Sequence, residues 1–369
     1  MSQTRASTVS FLDNSAPAAE RSARSEPRTM IARPPQRPWT DIPVRYSDEQ
    51  LRLAARLYYL DGLGQTEVAK FVKVSQAKVS RLLALARERG IVRISVAEYE
   101  PRNLELEQQI CQRFGLAAAA VFKTVPEATP EEARRAVGHF GAAFAASLIA
   151  PNSVVAIAGG RTIRELVLGL PEDKARQVTV VQAMGSIDST VSAVDALELG
   201  RTLARRMGGY FLTLNTPAFV PDKRTRDAFL ALQQIRSVWQ RLDATDVALV
   251  GIGSLDNSVF VDRGVLSAND LGTLKRLGAV GEICGHFFDA EGCECDSPWR
   301  DRVLSVDLNQ VRRIPHVVGV VVGADRAAAI AAAIRGGLVK SLILDDAGAR
   351  SLLALPNAVS GGKPNGISK

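Results

Sequence analysis

The sequence predicts an α/β protein in two parts: a small all-α unit with a short β wing, then a doubly wound, mostly parallel sheet. Three observations carry this. The 369 residues exceed one ordinary domain. Between residues 46 and 90, short amphipathic stretches are broken at Gly62, Gly64 and the Lys73-Val74 turn. Beyond residue 100, short apolar runs alternate with amphipathic helical stretches, the pattern of strands buried on both faces of a sheet. The domain reading is a tail over 1–45, a helical unit over 46–98, a larger unit over 99–357 and a flexible tail over 358–369.

Hydrophobic residues make up 46% and charged residues 23%, a mix that supports a buried core. No apolar run approaches the roughly eighteen residues of a membrane span. The formal charge is +7, and its distribution is uneven. Residues 1–45 carry net +3, residues 46–96 net +4, and residues 97–369 cancel. An excess confined to the first quarter of the chain points to a polyanion-binding element on a neutral body. Pro27, Pro34, Pro35, Pro38 and Pro43 disfavour helix and sheet in the basic tail. No apolar h-region of a secretory signal appears. Cys111, Cys284, Cys293 and Cys295 therefore read as reduced thiols of a cytoplasmic protein.

In the helical unit, Ser47 is the expected N-cap of a helix over Asp48–Leu60, with Leu53, Leu57 and Leu60 on its buried face. A short helix over Thr66–Val72, a turn, and a third helix opened by Ser75 and closed before Gly90 complete a helix-turn-helix spacing. Ala69 is small where two helices cross, and Val68, Val72, Val74, Val79 and Leu82 fill the inside. Lys73 stands where the turn goes left-handed, at a cost of about 1 kcal/mol. Left on the outward face are Gln76, Lys78, Ser80 and Arg81, placed for a major groove. Arg81 suits guanine and Gln76 suits adenine. Thr66, Lys70, Lys78 and Arg87, with the Ser75 helix start, suit phosphates of double-stranded DNA. Ile91–Val96 alternates and reads as a wing strand that carries Arg93.

In the larger unit, Leu104–Phe114 reads as a helix, and Thr129-Pro130-Glu131-Glu132 starts another. The expected strands are Val154–Ala158, Val178–Ala183, Tyr210–Leu214, Val247–Ile252, Val303–Val306, Val317–Val322 and Ser341–Leu344. Three of them end in small or charged residues: Gly159-Gly160-Arg161-Thr162, Gly253-Ser254 and Gly323-Ala324-Asp325-Arg326. Such loops converge on one crevice outside the strand ends. Glycine permits close approach, while amides, hydroxyls and guanidinium groups suit a phosphorylated or polyhydroxylated small ligand. An enzyme finds little support, since no nucleophile elbow, HExxH or Ser/His/Asp set is present. Cys284, His286, Cys293 and Cys295 lack a CxxC knuckle and read as buried or turn residues rather than a metal site. Asp188, Asp222, Asp256 and Asp262 read as turn or cap residues. No cofactor is implied.

Four ordered stretches carry a resemblance. The first is Gln76-Ala77-Lys78-Val79-Ser80-Arg81-Leu82-Leu83 with Ala86-Arg87 and Gly90-Ile91-Val92. The second is Val250-Gly251-Ile252-Gly253-Ser254. The third is Gly278-Ala279-Val280-Gly281-Glu282-Ile283-Cys284-Gly285 with Phe287-Phe288-Asp289. The fourth is Ala329-Ile330, then Arg335-Gly336-Gly337-Leu338-Val339. Over roughly residues 46–355 the chain resembles the SorC family of sugar-responsive bacterial transcriptional regulators. The resemblance implies a Rossmann-like effector unit similar to ribose-5-phosphate isomerase and glucosamine-6-phosphate deaminase, without their chemistry. It also implies a sugar or sugar-phosphate effector, operator DNA, and a homo-oligomer, dimer or tetramer. The family's effector positions match Gly160, Arg161 and Thr162, then Gly253, Ser254, Glu282 and Arg326. Three depart from the usual residues: Arg161 precedes a single Thr, Arg326 replaces a common Lys, and Glu282 a common Asp. The alternative function is a sugar-phosphate isomerase- or deaminase-like enzyme.

Overall fold

The computed structural model describes residues 46–95, 97, 99–256 and 258–356. The two tails read from the sequence lie outside the described residues. The chain divides into two compact units, one ending at Ala97 and one beginning at Glu98.

Among its described residues the first unit holds three α-helices: α1 (Asp48–Ala55), α2 (Gln65–Phe71) and α3 (Gln76–Glu88). Ser47 caps α1 in a capping box with Gln50. A turn of π-helix, Arg56–Leu60, prolongs α1. Within α1 the buried stripe runs through Leu51, Ala54 and Ala55 at helical spacing, which leaves Leu53 off it, and the wider π-turn carries Leu60 off the side that holds Leu57. Leu51, Ala54, Ala55 and Leu57 are buried, while Leu53 and Leu60 are 42% and 77% exposed, correcting the expected face. Val68, Ala69, Val79, Leu82, Leu83 and Ala86 close this core. Lys73 adopts φ +53°, the left-handed conformation expected of the turn. The wing strand does not form over the described part of Ile91–Val96. Ile91 and Val92 instead pack on the helical core, and the Val92 N–H donates to Ala86 O (3.1 Å). A strand needs a partner ladder, and this segment has committed Ile91, Val92 and an amide to the helical core while Ile94 stays exposed.

The second unit runs α4 (Leu104–Phe114), β1 (Ala118–Phe122), α5 (Pro130–Leu148), β2 (Val154–Ile157), α6 (Arg161–Gly169), β3 (Thr179–Gln182), α7 (Ala196–Arg206), β4 (Tyr210–Leu212), α8 (Lys223–Ala231), α9 (Gln233–Leu242), β5 (Val247–Val250), β6 (Gly253–Ser254), α10 (Val259–Asp262), α11 (Ala268–Arg276), β7 (Gly281–Ile283), β8 (His286–Phe288), α12 (Leu308–Arg313), β9 (His316–Val321), α13 (Ala327–Arg335), β10 (Ser341–Asp345) and α14 (Asp346–Ala354). Seven strands form one sheet in the order β1-β10-β9-β5-β2-β3-β4, every pair parallel. Helices cover both faces. Residues of α5, α6 and α7 build one core layer; those of α4, α9, α11, α12, α13 and α14 build the other. Along each strand the side chains alternate between the layers. In β5, Val247 and Leu249 face the first and Ala248 and Val250 the second.

A second sheet joins β6, β7 and β8, antiparallel throughout. The expected strand Val303–Val306 is not a ladder strand. It makes only isolated bridges, Phe219 to Val303 and Met184 to Ser305, so its apolar residues pack between loops rather than beside a strand.

Candidate functional site: a cleft at the switch point of the sheet

From β2 the chain lays down β3 and β4 toward one edge, then returns to place β5 on the other side of β2. The loops leaving β2 and β5 therefore part in opposite directions and open a crevice at the carboxyl ends of the strands. A cavity of about 360 Å³ lies there, within the range of small-molecule sites.

Each wall follows from local sequence. After β2, Gly159 passes so close to Val194 O that a Cβ would stand 2.9 Å from it, and Gly160 takes φ +143°. Helix α6 then begins without a side-chain cap and without an acidic residue in its first turn. An uncapped helix start presents amides and a positive dipole end. After β5, Gly253 lies against the Glu282 carboxylate, whose Oε1 a Cβ would approach to 2.6 Å. After β9, Gly323 takes φ +110°, and its N–H donates to the buried Asp345 carboxylate (2.9 Å).

Gly160, Arg161, Thr162, Gly253, Glu282 and Arg326 all line this cavity. Ser254 does not; it pairs with Gly281 in the small sheet. Glu282 is 8% exposed, and its Oε2 accepts from the Gly285 N–H (2.9 Å). Burial raises its pKa, opposed by that N–H, His286 and Arg326. The β7–β8 turn also faces the cavity through Cys284 and Gly285. Ser305 Oγ donates to Cys284 O (2.7 Å), and Trp299 Nε1–H donates to Gly285 O (2.8 Å). Burial pushes the Cys284 thiol far up, away from the range of a thiolate nucleophile.

Several lining residues escaped sequence reasoning. Arg134 comes from α5, and Asp195 caps α7. Asp262, read from sequence as a turn or cap residue, lines the cavity from α10 and pairs with Arg161 (3.5 Å). Arg263 pairs with Asp188 beside it. No strand-end signal marks these positions. Cys293 is exposed and Cys295 buried, and His286 Nδ1 lies 2.6 Å from Glu294 Oε1.

In the first unit, Thr66, Ser75, Gln76, Lys78, Ser80, Arg81 and Arg87 are all exposed. Ser75 caps α3 by accepting from the Lys78 N–H (3.3 Å). The buried side of α3 is Val79, Leu82, Leu83 and Ala86, so the polar residues occupy the opposite side.

A helix-turn-helix in one unit and a switch-point cleft in the other define a ligand-responsive transcriptional regulator. A family model described as "Putative sugar-binding domain" matches residues 101–354. The transcriptional regulator YjhU of Escherichia coli K12 is 30% identical over 314 residues, 84% of this chain and 95% of that protein. The sorbitol operon regulator of Klebsiella pneumoniae is 29% identical over 306 residues, covering 81% and 96%. The crystal structure of full-length SorC from Klebsiella pneumoniae matches with a TM-score of 0.67 at 28% identity, covering 84% of this chain and all of that one. The chain belongs to the SorC family of sugar-binding transcriptional regulators. It is a regulator rather than an enzyme. Among the described residues no helix is long and apolar enough to cross a membrane.

Proposed function

We propose that this protein binds double-stranded operator DNA through α2 and α3, and that a sugar or sugar phosphate in the switch-point cleft controls that binding. The observation that carries the second half is the convergence of three strand-end loops, an uncapped helix start and several guanidinium groups on one cavity. The first half rests on the polar face of α3 and on the net +4 of residues 46–96. Arg81 and Gln76 read base edges, Ser80 lies on the same groove-facing side, and Thr66, Lys70, Ser75, Lys78 and Arg87 hold the backbone. The protein acts in the cytoplasm as a dimer or tetramer, whose paired recognition helices meet half-sites about one helical turn, or a multiple of it, apart. The effector shifts this assembly between states only by its difference in affinity for them.

A thermal-shift screen of the full chain against sugars and sugar phosphates tests the effector, since a ligand that binds the folded state raises its melting temperature. A hit should also change retardation of the promoter fragment upstream of the protein's own gene. Arg81→Ala should weaken operator binding by about 1–3 kcal/mol and relax discrimination at one base pair. Equal affinity and equal specificity in competition binding would remove Arg81 from the base-reading set.

A further inference from the structure

Residues 97–369 carry no net charge, but the balance along them is uneven. Residues 196–243, which hold α7, β4, α8 and α9, carry eight basic residues against four acidic ones. The rest of that span is net −4. The fold gathers the basic segment at one margin of the large sheet. There β4 is the last strand. Leu199 and Leu203 of α7 pack in one core layer and Val238 and Leu242 of α9 in the other. The opposite margin is covered, since along β1 the Asn103 N–H donates to Val121 O (2.8 Å) and the Lys123 N–H to Pro101 O (2.8 Å). Among the described residues β4 pairs with β3 alone, so its outer edge is bare. Tyr210 on this strand is 68% exposed. Arg201 and Arg205 stand four apart on the exposed side of α7, and Arg236 and Arg241 are exposed on α9. Arg201 reaches Glu198 only at 3.9 Å. Among the described residues Arg205, Arg236 and Arg241 lie within ion-pair distance of no carboxylate.

We propose that this margin of the second unit is a further DNA contact, which holds the phosphate backbone without reading sequence. This rests on the reading of the protein as a DNA-binding regulator. Charge chooses the partner. A bare edge strand invites pairing with a second copy of itself, yet two-fold pairing of β4 with β4 would set one net +4 segment against another. Double-stranded DNA presents one negative charge per about 1.7 Å of its axis and releases counterions as protein cations replace them. Arginine forks fit phosphate oxygens two at a time, and the hydroxyl of an exposed tyrosine donates to phosphate as well. The net −4 of the remaining residues repels a polyanion and so turns it toward this margin.

The test is retardation by the full chain, without effector, of two duplexes of equal length: the promoter fragment upstream of its own gene and a random sequence. Affinity is read from about 50 to about 200 mM KCl, where its logarithm falls linearly with the logarithm of salt. Arg205→Gln combined with Arg241→Gln should make that slope shallower by about 2 for each chain at the DNA, roughly 0.9 per lost phosphate contact. Both duplexes should weaken equally, so the preference for the promoter stays, the mark of backbone contacts. Arg205→Lys combined with Arg241→Lys, which keeps both charges, should restore the parent slope. Arg276→Gln, at an exposed arginine of α11 outside the segment, should leave the slope at the parent value. An unchanged slope in the Gln pair overturns the proposal and leaves the reading of α3 standing; charges that merely keep bare edges apart would give that result. Fewer copies per assembly on sedimentation of the Gln pair would make the margin a contact between copies and overturn it too. Failure of the parent to retard either duplex would remove both readings.

Discussion

Trp299→Ala is expected to lower stability by about 3–5 kcal/mol, the cost of emptying a buried aromatic site that cannot collapse. Trp299 is 1% exposed. Its ring meets Phe260 (5.5 Å), Phe219 (5.9 Å) and Phe287 (6.4 Å), and the Arg302 guanidinium group lies 5.3 Å from it. These neighbours come from α10, β8, a loop and the 3-10 turn Arg300–Arg302, so no single element can move in to fill the gap. Trp299→Phe separates packing from hydrogen bonding. It keeps most of the ring contacts but leaves Gly285 O without its donor, which should cost about 1–3 kcal/mol. Urea unfolding of both variants reads the two losses. Because Phe260 and Gly285 also line the cleft, Trp299→Phe should weaken effector binding under conditions where it remains folded. Equal unfolding midpoints for Trp299→Phe and the parent would show that the indole hydrogen bond contributes nothing.

Gly138→Ala should destabilise although it places a better helix former inside α5. Helix propensity alone favours Ala over Gly by about 0.8–1.0 kcal/mol. The crossing of α5 and α6 opposes this. A Cβ on Gly138 would stand 2.3 Å from Glu165 Cβ and 2.5 Å from its carbonyl carbon. Backbone cannot swing aside as a side chain can, and overpacking of this kind costs about 1–3 kcal/mol. Steric crowding therefore outweighs propensity, and the net change should be negative. Gly272 on α11 is the internal control. It is exposed, helical and has nothing within 4 Å of the Cβ position. Gly272→Ala should raise the melting temperature, while Gly138→Ala lowers it. The same sign for both would mean that α5 and α6 separate at little cost.

Much of this architecture was legible because buried parallel strands leave short apolar runs that little else in a chain imitates. Val154–Ile157, Thr179–Gln182, Val247–Val250, His316–Val321 and Ser341–Asp345 all fall within or beside such runs. The failures have physical causes. Strand β1 is written Ala118-Ala119-Ala120-Val121-Phe122, and alanine carries no strand signal, so β1 is missing from the strands expected from the sequence. Val303–Val306 is apolar because it is buried, not because it pairs. The buried stripe of α1 runs through Ala54 and Ala55, which a pattern of leucines passes over, and the π-turn takes Leu60 off it. In the cleft, residues that follow strands could be found by position, since topology sends every such loop to the same end of the sheet. Arg134 and Asp262 could not, because a helix side chain enters that space only through three-dimensional packing. Their chemistry, two charges in amphipathic stretches, is indistinguishable in sequence from a solvated surface.

The alternation of strand side chains between two helical layers has a consequence for how substitutions combine. Leu249 and Val250 are neighbours in the chain, yet they answer to different surroundings, one to α5, α6 and α7, the other to the opposite layer. Covalent adjacency therefore does not make them energetic partners. Leu249 shares its layer with Val155 and Val320, far away in sequence. Coupling between substitutions should follow that shared layer, so a family of variants sorts into two nearly independent accounts divided by the plane of the sheet.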